Sequence, residues 1–331
     1  MTEALPELRV AAGLLFDAGG RVMLAQRPEG REDAGLWEFP GGKLEAVETA
    51  FEALRRELRE ELGVDITGGQ PLIRVPQRQS RRLLWLEAIE VREWRGEPRG
   101  LEGQALRWVL PEDIDPAALP AADRPILACL RQPAQYWISP EAVAQPAAFA
   151  DWFAAARAAG AQRLQLRVPA LGADARAELA RRAAERARAL GIELLLNARG
   201  DEDLELAADL GCGVQLSRTL LMRLAGRPQL PRVGASCHDP VSLQRAESLG
   251  CDFALLSPVM PTRSHPGAPA LGWSGFSALR AFTALPVYAL GGVGPADLAA
   301  ARAAGAQGVA GIRGFFACDA SRHLPLRLPC T

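Results

Sequence analysis

Lysine is nearly absent from this chain. Of 38 basic side chains only Lys43 is lysine, and the rest are arginine. Net charge is scarce too, with 38 basic against 39 acidic residues giving −1. That balance argues against a broad basic surface, so neither direct nucleic-acid binding nor membrane binding is expected. No uninterrupted apolar run approaches ~18 residues, so a membrane-spanning helix is not expected either. A secretory signal pattern is missing at the start, and cytoplasm is the expected location. The six cysteines, at 129, 212, 237, 251, 318 and 330, contain no CxxC pair. They are expected to be reduced, mostly buried thiols. What remains is an ordinary globular composition, 49% hydrophobic and 23% charged. A length of 331 residues suggests two domains at roughly 150 residues each.

The strongest pattern lies at residues 42–64. Gly42, Glu48, Arg56, Glu57, Leu58, Glu60, Glu61, Gly63 and Val64 fit G-x5-E-x7-R-E-U-x-E-E-x-G-U, with U apolar, at every fixed position. Thr49 and Glu52 have capping-box spacing, and Gly63 is a natural helix stop. Phe51, Leu54, Leu58 and Leu62 recur at helical spacing as a buried stripe. Glu57, Glu60 and Glu61 stand at i, i+3 and i+4, on one neighbouring face. Like charges at that spacing repel, and a solvated acidic face is the plain reading. The glycine turn before the helix and the complete pattern favour a metal site instead. Hard divalent ions bind carboxylates and substrate phosphate together. They then neutralise diphosphate charge and polarise water. Gly41-Gly42 permits close backbone approach. Lys43 supplies a compact point charge where phosphate would lie.

This pattern is the Nudix box. Residues 8–131 resemble the MutT branch of Nudix hydrolases, which cleave 8-oxo-dGTP. The stretches that carry the likeness are Val-Met-Leu-Ala-Gln-Arg (22–27), Leu-Trp-Glu-Phe-Pro-Gly-Gly-Lys (36–43), Trp-Arg-Gly-Glu-Pro (94–98), Leu-Glu-Gly-Gln (101–104) and Leu-Pro-Ala-Ala-Asp-Arg-Pro-Ile (119–126). The resemblance implies a catalytic set of Glu57, Glu60, Glu61, Glu102 and Arg56, with Arg56 and Glu48 bracing the loop against the helix. It implies that the Gly41 carbonyl, Glu57, Glu60, Glu61 and Glu102 hold Mg2+, with Mn2+ as the alternative. Arg27 and the turn of Glu38, Phe39, Pro40 and Gly41 would hold the nucleotide, with Lys43 and Arg82 on the phosphate side. Water would attack the β-phosphorus with a box glutamate, Glu57 first, or Glu102 as base, giving 8-oxo-dGMP and diphosphate.

One position departs from that family. Asp123 stands where the family has an asparagine that reads the purine edge. Asn donates and accepts, whereas an ionised Asp only accepts. A protonated Asp would imitate Asn, and burial favours that form. Asp123 also suits a helix N-cap before Arg124-Pro125. Both readings stay open on the sequence.

Beyond Arg131-Gln132-Pro133 short apolar strands alternate with Ala/Arg-rich helices. Strands are expected at 136–139, 163–167, 192–197, 214–216, 232–235, 253–257, 287–290 and 308–312. Helices are expected at 149–159, 174–190, 239–249 and 295–304. Eight strands with alternating helices predict a small (β/α)8 TIM barrel, with an open doubly wound sheet as the alternative. The expected organisation is therefore an α/β two-domain chain. A Nudix α/β/α sandwich covers 1–132 and a (β/α)8 barrel covers 133–331.

Gly291-Gly292 after strand seven and Gly311–Gly314 after strand eight stand where barrels often hold phosphate. Gly-Ala-Ser-Cys-His (234–238), Ser-Pro-Val-Met-Pro-Thr (257–262), Pro-Gly-Ala-Pro-Ala-Leu-Gly (266–272) and Pro-Val-Tyr-Ala-Leu-Gly-Gly (286–292) resemble the thiamine-phosphate synthase and thiazole tautomerase family, over about 135–316. The resemblance implies a thiazole-type phosphate held by Thr262, Ser264 and Gly292. The wider candidate set adds Gly291, Arg313 and Gly314. The synthase needs an Asn-Asp pair after strand three and an acidic residue after strand four. Here the chain reads Asn197-Ala198-Arg199 and then Leu216-Ser217-Arg218. The lysine expected after Thr-x-Ser is His265, and the tautomerase histidine position is Ser257-Pro258. Synthase activity is accordingly not expected. The alternative for the whole chain is a bifunctional thiamine-pathway protein. Its first domain would hydrolyse a thiamine-type diphosphate, and its barrel would process or sense a thiazole phosphate. A non-enzymatic barrel that regulates the hydrolase is a third expectation.

Overall fold

The computed structural model describes residues 5–30, 33–261, 269–312 and 314–315. The amino-terminal domain comprises β1 (Glu7–Leu15), β2 (Val22–Gln26), β3 (Trp37–Glu38), α1 (Ala50–Leu62), β4 (Asp65–Ile66), β5 (Gln70–Arg78), β6 (Leu83–Val91), β7 (Trp94–Arg95), β8 (Leu106–Val109) and α2 (Arg124–Arg131). One sheet runs β1-β6-β5, with β1 parallel and β5 antiparallel to β6. A second runs β3-β2-β8, and β4 pairs β7. The period of two along β1 divides its side chains between two cores. Ala11 and Leu15 pack with Leu54, Leu58 and Leu62 of α1. Ala12 and Leu14 pack with Ile126 and Leu127 of α2. The expected α/β/α sandwich follows from that alternation.

The second domain comprises β9 (Gln135–Ile138), α3 (Pro146–Ala158), β10 (Arg163–Leu166), α4 (Ala173–Ala189), β11 (Glu193–Ala198), α5 (Asp201–Leu210), β12 (Gly213–Leu216), α6 (Arg218–Arg223), β13 (Val233–Cys237), α7 (Pro240–Leu249), β14 (Phe253–Leu256), α8 (Gly272–Arg280), β15 (Val287–Leu290), α9 (Leu298–Ala303) and β16 (Gly308–Gly311). All eight strands are parallel, and β16 pairs β9 to close a barrel. Closure rules out the open sheet. Each strand lies within a residue or two of its expected place, whereas α5, α6 and α8 add to the four helices named from the sequence. Gly160, Gly250 and Gly305, after helices α3, α7 and α9, take the left-handed φ (+67°, +79° and +89°) that ends a helix before the next strand.

Tyr136, Phe253, Leu255, Tyr288 and Ala310 fill the barrel interior. Arg163 is buried among them, donating to the Tyr288 hydroxyl at 3.0 Å and lying 4.7 Å from the Phe253 ring centre. The Tyr288 hydroxyl in turn donates to the Pro133 carbonyl at 2.7 Å, and Val309 N–H to the Ala134 carbonyl at 3.0 Å. The segment between the domains is thereby held to the barrel floor. The domains also meet laterally, where the Arg78 N–H at the end of β5 donates to the Ala281 carbonyl after α8 at 2.9 Å.

Candidate active site

The acidic face of α1 stands on a rigid support. Leu54, Leu58 and Leu62 are fully buried, each contributing about 1.5–3 kcal/mol on burial. The expected capping box forms: the Thr49 hydroxyl accepts from the Glu52 N–H, and the Glu52 carboxylate accepts from the Thr49 N–H. Gly63 ends the helix in the left-handed region at φ +69°.

Arg56 organises the face. Its Nε and Nη2 donate to the two Glu48 oxygens at 2.9 Å each, its Nη2 also to the Lys43 carbonyl at 3.0 Å, and its Nη1 to Glu57 at 2.8 Å. Glu60 stands 3.6 Å from the same Nη1. The guanidinium lowers the Glu48 pKa to about 2, helped by the Glu45 N–H. One cation therefore joins the loop, the helix and the first box glutamate.

The glycine turn explains its own composition. Gly41 has φ +148°, and a Cβ there would meet the Ala11 carbonyl oxygen at 2.2 Å. A Cβ on Gly42 would lie 2.1 Å from the Glu57 carboxyl carbon. The Glu57 carboxylate thus rests against bare backbone at Gly42. The Pro40 and Gly42 carbonyls accept from Gly13 and Ala11 of β1. No hydrogen bond among the described residues takes up the Gly41 carbonyl between them.

Glu102 lies in a loop tied to the end of the same helix. Leu101 N–H and Gln104 Nε2 both donate to the Glu61 carbonyl, at 2.9 and 3.1 Å. Gln104 Oε1 also accepts from the Glu102 N–H at 2.9 Å. Sequence reasoning quoted Gln104 only as part of a likeness and missed this tethering role.

Among the described residues, no three Asp, Glu, His or Cys side chains are gathered as a metal-ligating group. Arg56 draws Glu57 and Glu60 toward itself, and mutual repulsion keeps like charges apart. The donors nevertheless fit a hard divalent cation: carboxylates on one helix face, a carbonyl with no hydrogen bond from the described residues, and a hollow at Gly42 filled by the Glu57 carboxylate.

A second cluster forms beside the turn. Arg27 pairs with Glu38 across the β2–β3 ladder, and the Arg27 N–H donates to the Leu36 carbonyl at 2.9 Å. Asp123, 6% exposed, is influenced by the Phe39 main-chain amide and by the charges of Glu38 and Arg27. Burial pushes its pKa well up; Glu38 adds to the rise, while Arg27 and the Phe39 amide oppose it. Asp123 occupies the N-cap position of α2 but makes no side-chain cap bond, because its backbone is already helical (φ −82°, ψ −22°). The capping alternative therefore does not hold. Arg82 lies on the β5–β6 turn, where its carbonyl accepts from the Gln79 N–H at 2.9 Å. Lys43 is exposed beside the loop.

Residues 11–129 match the NUDIX domain family, and residues 135–315 match the thiamine monophosphate synthase family. The chain is 42% identical over 113 residues to the CTP pyrophosphohydrolase of Escherichia coli (strain K12), covering 34% of this chain and 84% of that one. It is 37% identical over 120 residues to the 8-oxo-dGTP diphosphatase of Haemophilus influenzae, covering 36% and 88%. The chain belongs to both families, a Nudix domain followed by a thiamine monophosphate synthase-type barrel. The barrel is 36% identical over 141 residues to the thiamine-phosphate synthase of Methanoregula boonei, covering 41% of this chain and 63% of that one.

In the barrel, Gly291 and Gly292 have φ +97° and +67° and press on the Pro258–Pro261 segment; a Cβ on Gly292 would meet the Pro261 carbonyl at 2.6 Å. Gly314 packs against Val293 and Gly294. Thr262, Ser264 and Arg313 lie outside the described residues, as does His265. A small cavity lies beside the ends of the second and third barrel strands. It measures about 20 Å3 and is lined by Val168, Pro169, Arg176, Asn197, Arg199 and Asp203, among others. Asp203 is occupied, accepting from the Arg199 N–H at 2.8 Å and pairing with Arg176 at 3.2 Å.

Proposed function

We propose that the Nudix domain is a Mg2+-dependent nucleoside triphosphate diphosphatase whose main substrate is 8-oxo-dGTP, released as 8-oxo-dGMP and diphosphate. On this reading the protein clears the nucleotide pool and so limits mutation. The observation that carries it is the pairing of an acidic Nudix helix with a separate cluster of half-buried Arg27 and Glu38 beside buried Asp123. The first suits a diphosphate, and the second suits a base.

On this reading Glu57, Glu60, Glu61, Glu102 and the Gly41 carbonyl would hold Mg2+, which when bound would supply charge neutralisation for the diphosphate and polarise water. Glu57 takes the proton of that water, and Arg56 fixes its carboxylate. Lys43 and Arg82 hold the phosphate chain. Glu38–Gly41 and Arg27 seat the nucleoside. A neutral Asp123 presents a donor and an acceptor to the base edge, as an Asn would. Positioning and charge compensation account for most of the rate.

Asp123 also favours a second substrate. A neutral carboxyl is complementary to the N3 acceptor and N4 donor of cytosine, and a relative at 42% identity is named a CTP pyrophosphohydrolase. The test is a comparison of kcat/KM for 8-oxo-dGTP, dGTP, CTP and dCTP. Equal values for 8-oxo-dGTP and dGTP would remove the sanitising role.

The domain boundary is proposed at Gln132–Pro133, and the barrel is proposed to lack synthase activity. Ala198 and Ser217 stand where the family's acidic residues would bind the metal diphosphate. Asn197 is engaged by Gln165 at 3.1 Å, and Ser217 caps α6. A thiazole-type phosphate at Gly291, Gly292 and Gly314 remains the proposed ligand of the barrel. Calorimetry with thiazole phosphate tests it, and absence of binding would count against any thiamine-pathway role.

A further inference from the structure

The β5–β6 turn carries Arg82, and the barrel holds its base. The Arg78 N–H at the last residue of β5 donates across the domain junction to the Ala281 carbonyl at 2.9 Å. The Arg78 guanidinium lies 5.4 Å from the centre of the Phe282 ring, within cation–π range. Further down the strand, a Cβ on Gly305 would meet Pro76 Cδ at 2.5 Å and the Arg74 carbonyl at 3.0 Å. The barrel backbone therefore presses directly on β5. Arg280, fully buried, donates to the Gly305 carbonyl at 3.0 Å and fixes that contact. From Arg78 the path to Arg82 is short. Gln79 follows Arg78, its N–H donates to the Arg82 carbonyl at 2.9 Å, and its side chain accepts from Arg82 Nε.

We propose that Ala281 and Phe282 of the barrel are positioning residues for the Nudix reaction, fixing the β5–β6 turn so that Arg82 meets the substrate phosphates. This rests on the reading that Arg82 faces phosphate. On the β6 side the turn is tied to β1, where the Leu83 N–H donates to the Pro6 carbonyl at 3.0 Å, and on the β5 side the barrel supplies the wall. The barrel thus contributes to catalysis without chemistry of its own.

The test uses the full-length chain. Phe282→Ala raises KM for the preferred nucleoside triphosphate about two- to fivefold, the size a partly exposed cation–π contact supports. It leaves kcat nearly unchanged, and Phe282→Tyr, which keeps the ring, behaves as wild type. On an Arg82→Ala background, Phe282→Ala adds no further loss. In the absence of nucleotide, hydrogen exchange at residues 78–83 is faster in Phe282→Ala than in wild type. If Phe282→Ala does not fold, Phe282→Leu fills the space without the ring and gives the same pattern. An unchanged KM, or losses that add on the Arg82→Ala background, would overturn the proposal. A wild-type protein that hydrolyses no nucleoside triphosphate would defeat the functional reading instead. Hydrogen exchange would then decide the clamp alone, and unchanged exchange at 78–83 would overturn it.

Discussion

The Phe39 main-chain amide acts on the buried carboxyl of Asp123 and opposes the rise in its pKa, bringing the turn before the Nudix box to the start of α2. The two residues are 84 positions apart (123 − 39), and neither belongs to the box. Their contact places a buried acid beside Glu38 and Arg27, outside the acidic helix face. On the proposed function, phosphate chemistry and base choice fall to different parts of one domain.

Asp123 makes stability depend on pH in a definite direction. Its folded pKa lies well above 3.8, through burial first and the Glu38 charge second. The stability tied to its proton is complete below 3.8 and is lost as pH rises through the folded value. Asparagine cannot ionise. The Tm of Asp123→Asn therefore matches wild type near about pH 4 and gains on it toward about pH 8. Thermal melts across that range check this, and a pH-independent difference would contradict it.

Truncating the same side chain tests its contact with the base. Asp123→Ala loses about 1–3 kcal/mol of transition-state binding, roughly 5- to 150-fold in kcat/KM, for the preferred nucleotide. Discrimination against dGTP falls with it. Equal losses for every nucleotide would place Asp123 in a structural role.

Gly42→Ala separates activity from folding. Gly42 is absent from the glycines with positive φ, and the nearest atoms an alanine Cβ meets are those of the Glu57 carboxylate, from 2.1 Å. That carboxylate must leave its place, while the backbone need not move. The variant keeps a Tm close to wild type and loses activity on the scale of Glu57→Gln, on the order of 10²–10⁴. Tm by calorimetry and kcat by diphosphate release decide it.

Glu48→Gln addresses the brace. It leaves Arg56 with Glu57 and the Lys43 carbonyl as partners, and the loop loses its charged anchor. Activity falls about 10–100-fold, as for other residues that orient metal ligands, with a rise in the Mg2+ concentration needed for half-maximal rate. A loss that excess Mg2+ and a normal Tm leave unexplained would reject the bracing role.

Much of this was legible in the sequence because local rules and tertiary context agree. The box helix, its cap at Thr49 and its stop at Gly63 follow from spacing alone. The barrel strands follow from short apolar runs between helices. Other features depend on distant partners. Spacing places Glu57, Glu60 and Glu61 on one face but does not show that Arg56 holds Glu57 and stands near Glu60. Asp123 reads equally as a cap from sequence, and only its αR backbone and the Phe39 amide decide otherwise. Helix α5 opens on the acidic run Asp201-Glu202-Asp203, and α6 spans only Arg218–Arg223. Arg78 against Phe282 pairs residues from two domains, and no local pattern marks such a contact.

The central claim is tested most directly by measuring diphosphate and phosphate separately from 8-oxo-dGTP, dGTP, CTP, dCTP and thiamine diphosphate, with and without Mg2+. The account predicts Mg2+-dependent release of diphosphate from 8-oxo-dGTP, with dGTP poorer and thiamine diphosphate inert. Release of phosphate alone from the nucleotides, or a preference for thiamine diphosphate, would contradict it.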